Sequence, residues 1–216
     1  MRLPFDNRTD AGRRLGAVLA ARKRPIVNPV VLALPRGGVP VGAEVAKALK
    51  CPLDVLVVRK LGVPSQPELA MGAIAGSTRV LDWSLIQALS ISAEEIEEVA
   101  AREIREMERR QKLYRGDHPA ADLSGRSIVL VDDGFATGST MAAAARSVRE
   151  ASPRELIIAV PVGTAEACAR LRVEAGRCVC LATPEPFDAV GCWYIDFKQV
   201  SDDEVRQLLK SSETPS

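Results

Sequence analysis

Hydrophobic and polar positions along the chain fall into blocks that switch between the period of a strand and that of a helix. Short apolar runs, many of them rich in β-branched residues, are typical of buried parallel strands and lie at 30–34, 53–58, 128–131, 156–160 and 178–181. A shorter strand is predicted at 79–81. Apolar residues three or four positions apart predict helices over 10–22, 40–49 and 93–112. Two more helices are predicted after Thr140 and after Thr164, and a capping box at 201–204 begins the last one. This alternation indicates an α/β protein with a parallel sheet.

The composition is that of an ordinary globular domain. A chain of 216 residues, 47% hydrophobic and 26% charged, can bury one α/β core and carry a small accessory lobe. The net charge of +1 argues against a broad nucleic-acid interface, so we expect no nucleic-acid partner. Nothing resembles a signal peptide or a membrane span, and the five cysteines are scattered. We therefore expect a cytoplasmic protein without a membrane partner.

Cys178 and Cys180 form a C-x-C pair inside one of the predicted strands. No second pair of Cys or His residues stands at a spacing that would complete a metal site. We interpret the two thiols as small core or interface side chains rather than as metal ligands.

Residues 127–140 combine an apolar strand, two adjacent carboxylates and a turn of small residues. Asp132 and Asp133 follow the strand directly, and ligands of open parallel sheets bind outside the carboxyl ends of the strands. The turn leads into a helix whose free N–H groups and dipole favour a phosphate. Its candidate phosphate-binding residues are Ala136, Thr137, Gly138, Ser139 and Thr140. A phosphorylated ribose fits both the acid pair, through its hydroxyls, and the turn, through its phosphate. The alternative is an ordinary strand-to-helix connection with a solvated Asp pair.

This segment resembles the phosphoribosyl pyrophosphate (PRPP) motif of the type I phosphoribosyltransferases. In that motif an apolar strand and two acids are followed by three residues and Thr-Gly-x-Thr, and residues 128–140 match every position. Gly134 and Gly138 lack the spacing and the Lys of a P-loop, and residues 37–42 are not a dinucleotide fingerprint. The resemblance implies a parallel sheet with helices on both faces and a small hood lobe. We expect one domain over 1–216, with a core at about 24–182 and a hood from about 1–23 and 183–210.

A second glycine-rich turn, Leu-Pro-Arg-Gly-Gly-Val-Pro-Val-Gly at 34–42, again joins a strand to a helix. Two successive glycines allow several N–H groups to point at one anion, and Arg36 adds a fixed cation. The turn is similar to the pyrophosphate loop of the same family. On this resemblance Arg36, Gly37 and Gly38 are candidate pyrophosphate-binding residues. Some relatives hold a cis peptide in this loop, and we place it between Arg36 and Gly37.

A third candidate segment begins with Arg59 and Lys60, where the strand at 53–58 ends. A similar Arg-Lys pair begins the mobile loop of adenine and orotate transferases, which folds over the active site and excludes water. The resemblance makes both residues candidate pyrophosphate contacts. It makes Glu68 a candidate partner for the leaving group, for metal-bound water or for the incoming nucleophile. A Gly- and Pro-containing surface loop is the alternative, above all for Glu68.

Aromatic residues cluster near the carboxyl end of the chain, within 183–197. The segment resembles the hood of purine transferases, where an aromatic ring stacks on the base, although its spacing around Gly191 departs from the hypoxanthine-guanine pattern. Phe187, Asp188 and Trp193 are the candidate base-binding residues. No Arg or Lys stands within 183–197 to pair with a carboxylated base, which favours a purine-like base. A hydrophobic lobe packed for its own stability is an equally good account.

The resemblance implies a Mg²⁺-dependent transferase that joins the ribose 5-phosphate of PRPP to a nitrogenous base and releases pyrophosphate. The implied catalytic residues are Asp132, Asp133, Arg36, Lys60 and Glu68. The metal would be held by PRPP and water near the two acids, without direct protein ligands. Relatives are often dimers, so we expect a homodimer. The alternative is a non-catalytic regulator that binds PRPP or nucleotides on the same fold, although no cationic stripe or helix-turn-helix extension supports it.

Overall fold

The computed structural model describes residues 3–76, 78–116 and 118–212. The strands are β1 (Pro29–Ala33), β2 (Leu53–Val55), β3 (Val58–Val63), β4 (Gln66–Ala75), β5 (Thr78–Leu81), β6 (Ser127–Val131), β7 (Glu155–Val162) and β8 (Gly176–Ala182). The helices are α1 (Arg8–Ala20), α2 (Gly38–Leu49), α3 (Trp83–Ala88), α4 (Ala93–Arg115), α5 (Ser139–Glu150), α6 (Ala165–Ala175) and α7 (Asp202–Ser212), with a 3-10 turn at Val190–Trp193.

The main layer is a five-stranded sheet in the order β2-β1-β6-β7-β8, and all of its neighbouring strands are parallel. Every residue of β6 is buried, as the continuous apolar run predicts for a central strand. Val129 and Val131 pack on one face with α1, α2, α4 and α7, whereas Ile128 and Leu130 pack on the other with α5 and α6. The predicted parallel α/β fold with helices on both faces is confirmed.

A separate antiparallel sheet, in the order β3-β4-β5, occupies the segment that the sequence analysis interprets as a loop. The loop prediction is wrong because Leu61, Val63 and Met71 are buried and pack one face of the hairpin into the main core. Glycines allow its strands to approach closely: a Cβ at Gly72 would lie 2.4 Å from the carbonyl oxygen of Val80. The predicted strand at 53–58 is accordingly divided between β2 and β3.

The two terminal helices contribute to the main core, through Leu15 of α1 and Val205 of α7. A separate small hydrophobic cluster, whose buried members include Phe5 and Tyr194, is the part that we call the hood. The predicted bounds of the hood stay a prediction. The N–H of Phe5 donates to the carbonyl of Trp193 at 2.8 Å, which joins the two ends of the described chain. Within the described ranges, no helix has the length and apolar character needed to cross a membrane.

The close contact between α1 and α2 gives a prediction about Gly12. Ala is favoured over Gly in helices by about 1 kcal/mol, but a Cβ at Gly12 would lie 2.8 Å from the carbonyl oxygen of Val41. We expect Gly12→Ala to lower the free energy of unfolding by about 1–3 kcal/mol, because overpacking outweighs helix propensity. Urea denaturation measures this change. Val173→Ala, on an exposed part of α6, is the control and should be neutral or slightly stabilising; equal stabilisation by both substitutions would contradict the packing argument.

Candidate functional site

The two acids lie at the carboxyl end of β6, in the centre of the main sheet. The N–H of Asp133 donates to Oδ1 of Asp132 at 2.8 Å, which fixes the first side chain against the backbone of the second. Only 14% of the Asp133 side chain is exposed. The adjacent β1 ends beside β6 and leads into the glycine-rich turn, so the acids and this turn meet at one sheet edge.

Gly37 and Gly38 make room for the acids. A Cβ at Gly37 would lie 2.0 Å from Oδ2 of Asp133, and a Cβ at Gly38 would lie 2.9 Å from the Cα of Asp132. The N–H of Gly38 donates within the turn to the carbonyl of Leu34 at 3.0 Å. Glycine is therefore required at both positions because the acids lie so close to the turn, in addition to any need to bind an anion. The cis peptide joins Pro35 to Arg36, one residue before the predicted position.

Burial makes the acid pair difficult to ionise. It raises the pKa of Asp132 well above its usual range, and the nearby charge of Asp133 raises this pKa further. Burial also raises the pKa of Asp133, but the guanidinium of Arg8 opposes that shift. The site therefore favours ligands whose hydroxyl groups donate to these oxygens and whose positive charge develops beside them.

Arg8 is a site residue that the sequence analysis misses. Its Nε donates to Oδ2 of Asp133 at 2.8 Å and its Nη1 donates to the carbonyl of Lys198 at 2.7 Å. The guanidinium carbon also lies 3.8 Å from the ring centroid of Phe197. Only 11% of the Arg8 side chain is exposed. One sequence signal points to it: a cation at the first position of α1 opposes the helix dipole and needs a partner elsewhere.

Tyr194 is a second residue that the sequence analysis does not assign. Its hydroxyl donates to the backbone carbonyl of Asp133 at 2.5 Å. The rings of Phe5 and Phe197 flank it, with centroids 5.5 Å and 5.0 Å from its own. Burial raises the pKa of the Tyr194 hydroxyl, so the group remains a donor near neutral pH. Asp133 is thus bound twice, by Arg8 at the start of α1 through its side chain and by Tyr194 of the hood through its backbone carbonyl.

The predicted phosphate-binding residues form the turn between β6 and α5, which we call the phosphate loop (Ala136, Thr137, Gly138, Ser139 and Thr140). Helix α6 binds two of its carbonyls: Thr164, the N-cap residue, donates to that of Ala136 at 2.8 Å, and Arg170 donates to that of Thr137. Among the described residues, the N–H groups of Ala136, Thr137, Gly138 and Thr140 have no protein acceptor. These donors and the exposed hydroxyls of the loop make an anion cradle at the start of a helix.

Gly138 has a φ of +69°, a left-handed conformation that favours glycine. A Cβ there would also lie 3.0 Å from Cδ1 of Leu171 in α6. The conformation and the contact explain why the motif requires glycine at this position.

Arg36 lies on the same edge of the sheet, in the turn after β1. Its Nη1 is 3.9 Å from Oδ1 of Asp202, which also accepts a hydrogen bond from Tyr114 at 2.8 Å. Burial raises the pKa of Tyr114 to about 12, and the hydrogen bond to Asp202 adds to the shift. Because this ion pair is long and a third of the Arg36 side chain is exposed, the guanidinium can turn towards an anion.

The structure does not join the remaining predicted cations to the acid pair. Arg59 donates to Oε2 of Glu103 in α4 through Nε at 2.9 Å and Nη2 at 2.7 Å. Lys60 is exposed on β3 opposite Ala73, and Glu68 is exposed on β4. Within the described ranges, no hydrogen bond or ion pair connects Lys60 or Glu68 with the acids. The pyrophosphate and catalytic roles of these three residues stay predictions.

The predicted base-binding residues lie in the hood. The rings of Phe187 and Trp193 are 6.3 Å apart between centroids, and Asp188 is exposed. Nε1 of Trp193 is buried and has no hydrogen-bond partner among the described residues. Both rings also pack on the small hood cluster, so the base-binding and hood-core interpretations remain open. The absence of Arg and Lys within 183–197 no longer argues for a purine. Arg8, which is distant in sequence, places a cation against the ring of Phe197.

Comparison with known proteins places this geometry in a family. The family model described as a phosphoribosyl transferase domain matches residues 11–192. The Mycobacterium tuberculosis protein Rv0571c, whose name places it provisionally among the phosphoribosyl transferases, is 48% identical over 206 residues, which cover 95% of this chain and 46% of that protein. The chain thus spans about half the length of the curated relatives that it matches.

Two solved structures share the fold. The crystal structure of TT1426 from Thermus thermophilus is 42% identical, covers 98% of this chain and 99% of its own, and superposes with a TM-score of 0.84. AQ2163 from Aquifex aeolicus is 12% identical, covers 85% and 78%, and has a TM-score of 0.50, which shows the fold alone. With the acid pair and phosphate loop at the end of β6 and a family model matched over most of its length, the chain belongs to the phosphoribosyl transferase domain family.

Proposed function

We propose that the chain transfers the ribose 5-phosphate of PRPP to a nitrogenous base and releases pyrophosphate. One observation carries the proposal: the acid pair and the phosphate loop are consecutive at the end of the central strand, with the loop carbonyls bound by α6. The N–H groups of this loop have no acceptor among the described residues, so they can bind a phosphate a few residues from two carboxylates. A phosphorylated sugar with free hydroxyl groups matches both features at once.

In this proposal the phosphate loop binds the 5′-phosphate of PRPP. The N–H groups of Ala136, Thr137, Gly138 and Thr140 donate to its oxygens, together with the hydroxyls of Thr137, Ser139 and Thr140. The positive end of the α5 dipole adds to the attraction. This binding places the ribose ring over the carboxyl end of β6, where the acids stand.

The acid pair binds the ribose hydroxyls. Asp132 and Asp133 accept hydrogen bonds from the vicinal hydroxyls, and their negative charge stabilises the positive charge that develops on the ring as the bond to pyrophosphate breaks. Arg8 opposes the rise that burial causes in the pKa of Asp133, and its hydrogen bond holds the orientation of that carboxylate. The pair therefore acts mainly on the transition state, in which the ring is most positive.

The turn after β1 and the β3-β4 hairpin supply the cations for the leaving pyrophosphate. Arg36 directly precedes Gly37 and Gly38, which approach the acids closely. Lys60 and Arg59 complete the set of cations if Arg59 leaves Glu103. Glu68, also on the hairpin, is the candidate partner for the leaving group, for metal-bound water or for the incoming nucleophile. The oxygen donors at this edge fit Mg²⁺, which binds carboxylates, phosphates and water. Asp132 and Asp133, together with PRPP and water, would hold Mg²⁺ at this edge, where the metal would supply positive charge for the leaving pyrophosphate.

The hood supplies the base site in this proposal, through Phe187, Asp188 and Trp193. A bicyclic base gains more stacking area on the two rings than a monocyclic base does, which favours a purine-like acceptor. The exposed Asp188 carboxylate can accept hydrogen bonds from ring N–H or amino groups. A homodimer in the cytoplasm is part of the same proposal and rests on the family resemblance and on the unpaired cysteines.

Direct assay with PRPP, Mg²⁺ and a panel of bases tests the reaction. We expect pyrophosphate release to depend on adenine, guanine or hypoxanthine more than on uracil, orotate or nicotinate. Calorimetric measurement of PRPP binding distinguishes a transferase from a non-catalytic regulator that binds PRPP. If PRPP binds but no base releases pyrophosphate, the non-catalytic regulator is favoured, and preference for orotate or nicotinate would refute the purine-like acceptor.

Removing the two charges at the end of β6 should impair the reaction without loss of the fold. We expect the double substitution Asp132→Asn and Asp133→Asn to reduce transition-state stabilisation by about 2–4 kcal/mol, the scale of a preorganised electrostatic contact. Steady-state kinetics with PRPP measures the loss, and circular dichroism checks folding. The control is Asp122→Asn, which changes an exposed carboxylate between α4 and β6 and should leave turnover intact. Unchanged PRPP affinity and turnover in the double variant would remove the acids from the mechanism.

Arg8 should assist PRPP binding through Asp133. Because a charge-assisted hydrogen bond contributes about 1.5–3 kcal/mol, we expect Arg8→Ala to lower kcat/KM for PRPP by roughly ten- to a hundredfold. Arg8→Lys keeps the charge and should recover part of the loss. Arg13→Ala, on the exposed side of the same helix, is the matched control. Tighter PRPP binding by Arg8→Ala would instead mean that the guanidinium competes with the ribose for Asp133.

A further inference from the structure

Two successive carbonyls of the phosphate loop are bound by side chains of α6 and of its N-cap residue. The hydroxyl of Thr164 donates to the carbonyl of Ala136 at 2.8 Å, and the guanidinium of Arg170 donates to that of Thr137. Both carbonyls therefore point towards α6. The donors lie 28 and 33 positions beyond their acceptors, so the sequence of the loop does not show these contacts.

The direction of each carbonyl fixes the direction of an N–H group. In a planar trans peptide the N–H points away from the carbonyl of the same peptide, and neither of these two peptides is cis. The carbonyl of Ala136 shares its peptide with the N–H of Thr137, and the carbonyl of Thr137 shares the next peptide with the N–H of Gly138. Both N–H groups thus point away from α6, and among the described residues neither has an acceptor.

The contact between the loop and α6 is close at two further points. A Cβ at Gly138 would lie 3.0 Å from Cδ1 of Leu171 and 3.4 Å from Cβ of Ala167. The N–H of Ala167 donates to the hydroxyl of Thr164 at 3.1 Å, so this hydroxyl caps the helix as an acceptor while it binds the loop as a donor. The position of the loop therefore depends on the start of α6.

Arg170 also leaves positive charge beside the loop. Its hydrogen bond goes to a neutral carbonyl, and no salt bridge joins it to an acid in the part of the chain that the structure describes. Glu174, one turn further along α6, is bound by Arg146 at 2.6 Å between Nη2 and Oε1. An unneutralised cation next to free N–H donors favours an anion at that place.

We propose that Thr164 and Arg170 are positioning residues of the phosphate loop, which orient the N–H groups of Thr137 and Gly138 towards one phosphate of a sugar phosphate. The inference rests on the proposed binding of the 5′-phosphate at this loop, but not on transfer to a base. Without either side chain a peptide group of the loop is free to rotate, and the N–H that it carries donates less well. Both residues lie outside the motif yet control how tightly a phosphate monoester binds.

Calorimetric titration with ribose 5-phosphate tests the inference without the transfer reaction. We expect Arg170→Ala to weaken binding about tenfold, the scale of a lost charge-assisted hydrogen bond. Arg170→Lys keeps a charge and a donor and should recover part of the affinity. Arg172→Ala is the matched control, because it removes another exposed cation of α6, and it should bind as the wild-type protein does.

Thr164 is tested by a pair of substitutions. Thr164→Val removes the donor to the loop and the helix cap together, whereas Thr164→Ser keeps both. We expect weaker ribose 5-phosphate binding by the first variant and wild-type affinity in the second, with circular dichroism as the check on folding. Arg170 is exposed and its replacement leaves the cap intact, so Arg170→Ala stays decisive if Thr164→Val does not fold.

Amide NMR observes the two donors directly. Ribose 5-phosphate should move the amide proton resonances of Thr137 and Gly138 downfield in the wild-type protein, because these N–H groups gain a charged acceptor. At saturating ligand both shifts should be smaller in Arg170→Ala and unchanged in Arg172→Ala. With PRPP as substrate, Arg170→Ala should raise KM more than it lowers kcat, since the phosphate is bound alike before and during bond breaking.

The results distinguish this inference from the proposed transfer reaction. If no base releases pyrophosphate but ribose 5-phosphate binds in an Arg170-dependent way, the transferase is contradicted and the positioning role stands. Unchanged binding by Arg170→Ala, or an equal loss of affinity in Arg170→Ala and Arg172→Ala, would overturn the positioning role. It is also overturned if the wild-type protein does not bind ribose 5-phosphate.

Discussion

The burial of two adjacent carboxylates at the end of a central strand is the constraint on which the site depends. An isolated buried charge is costly, and two of the same sign cost more unless partners approach closely. The structure brings those partners from three separate parts of the chain. Gly37 and Gly38 leave room for the acids because a Cβ at either position would clash with them. Arg8 donates to the Asp133 carboxylate, and Tyr194 donates to the backbone carbonyl of Asp133.

The same constraint explains why the hood is built from both ends of the described chain. Arg8 can reach Asp133 only if α1 begins at the sheet edge, and its guanidinium is kept there by Phe197 and the carbonyl of Lys198. The bonds between Phe5 and the residues on either side of Tyr194 fix the two segments relative to each other. The hood is thus a support for the acid pair as well as a candidate base site.

Continuous sequence features predicted the fold and the centre of the site. The apolar run of β6, the acids and the small-residue turn are consecutive, so their arrangement follows from one parallel strand and one helix start. Contacts between distant segments could not be read in this way. Arg8 and Asp133 are 125 positions apart, and Arg59 and Glu103 are 44 apart. The hairpin was missed because Gly and Pro interrupt the alternation of its short strands, although Leu61 and Met71 bury the face that holds them together.

The raised pKa of the acid pair has a consequence for proton balance. A carboxyl group that is hard to ionise in the free protein becomes easier to ionise when hydroxyl donors bind to it and positive charge grows beside it. Ligand binding at this edge is then coupled to the release of protons into the solvent, by thermodynamic linkage. The enthalpy measured for such binding will depend on the ionisation enthalpy of the buffer. In this sense the solvent proton is a ligand of the site, and it competes with any hydroxyl donor for the same two oxygen pairs.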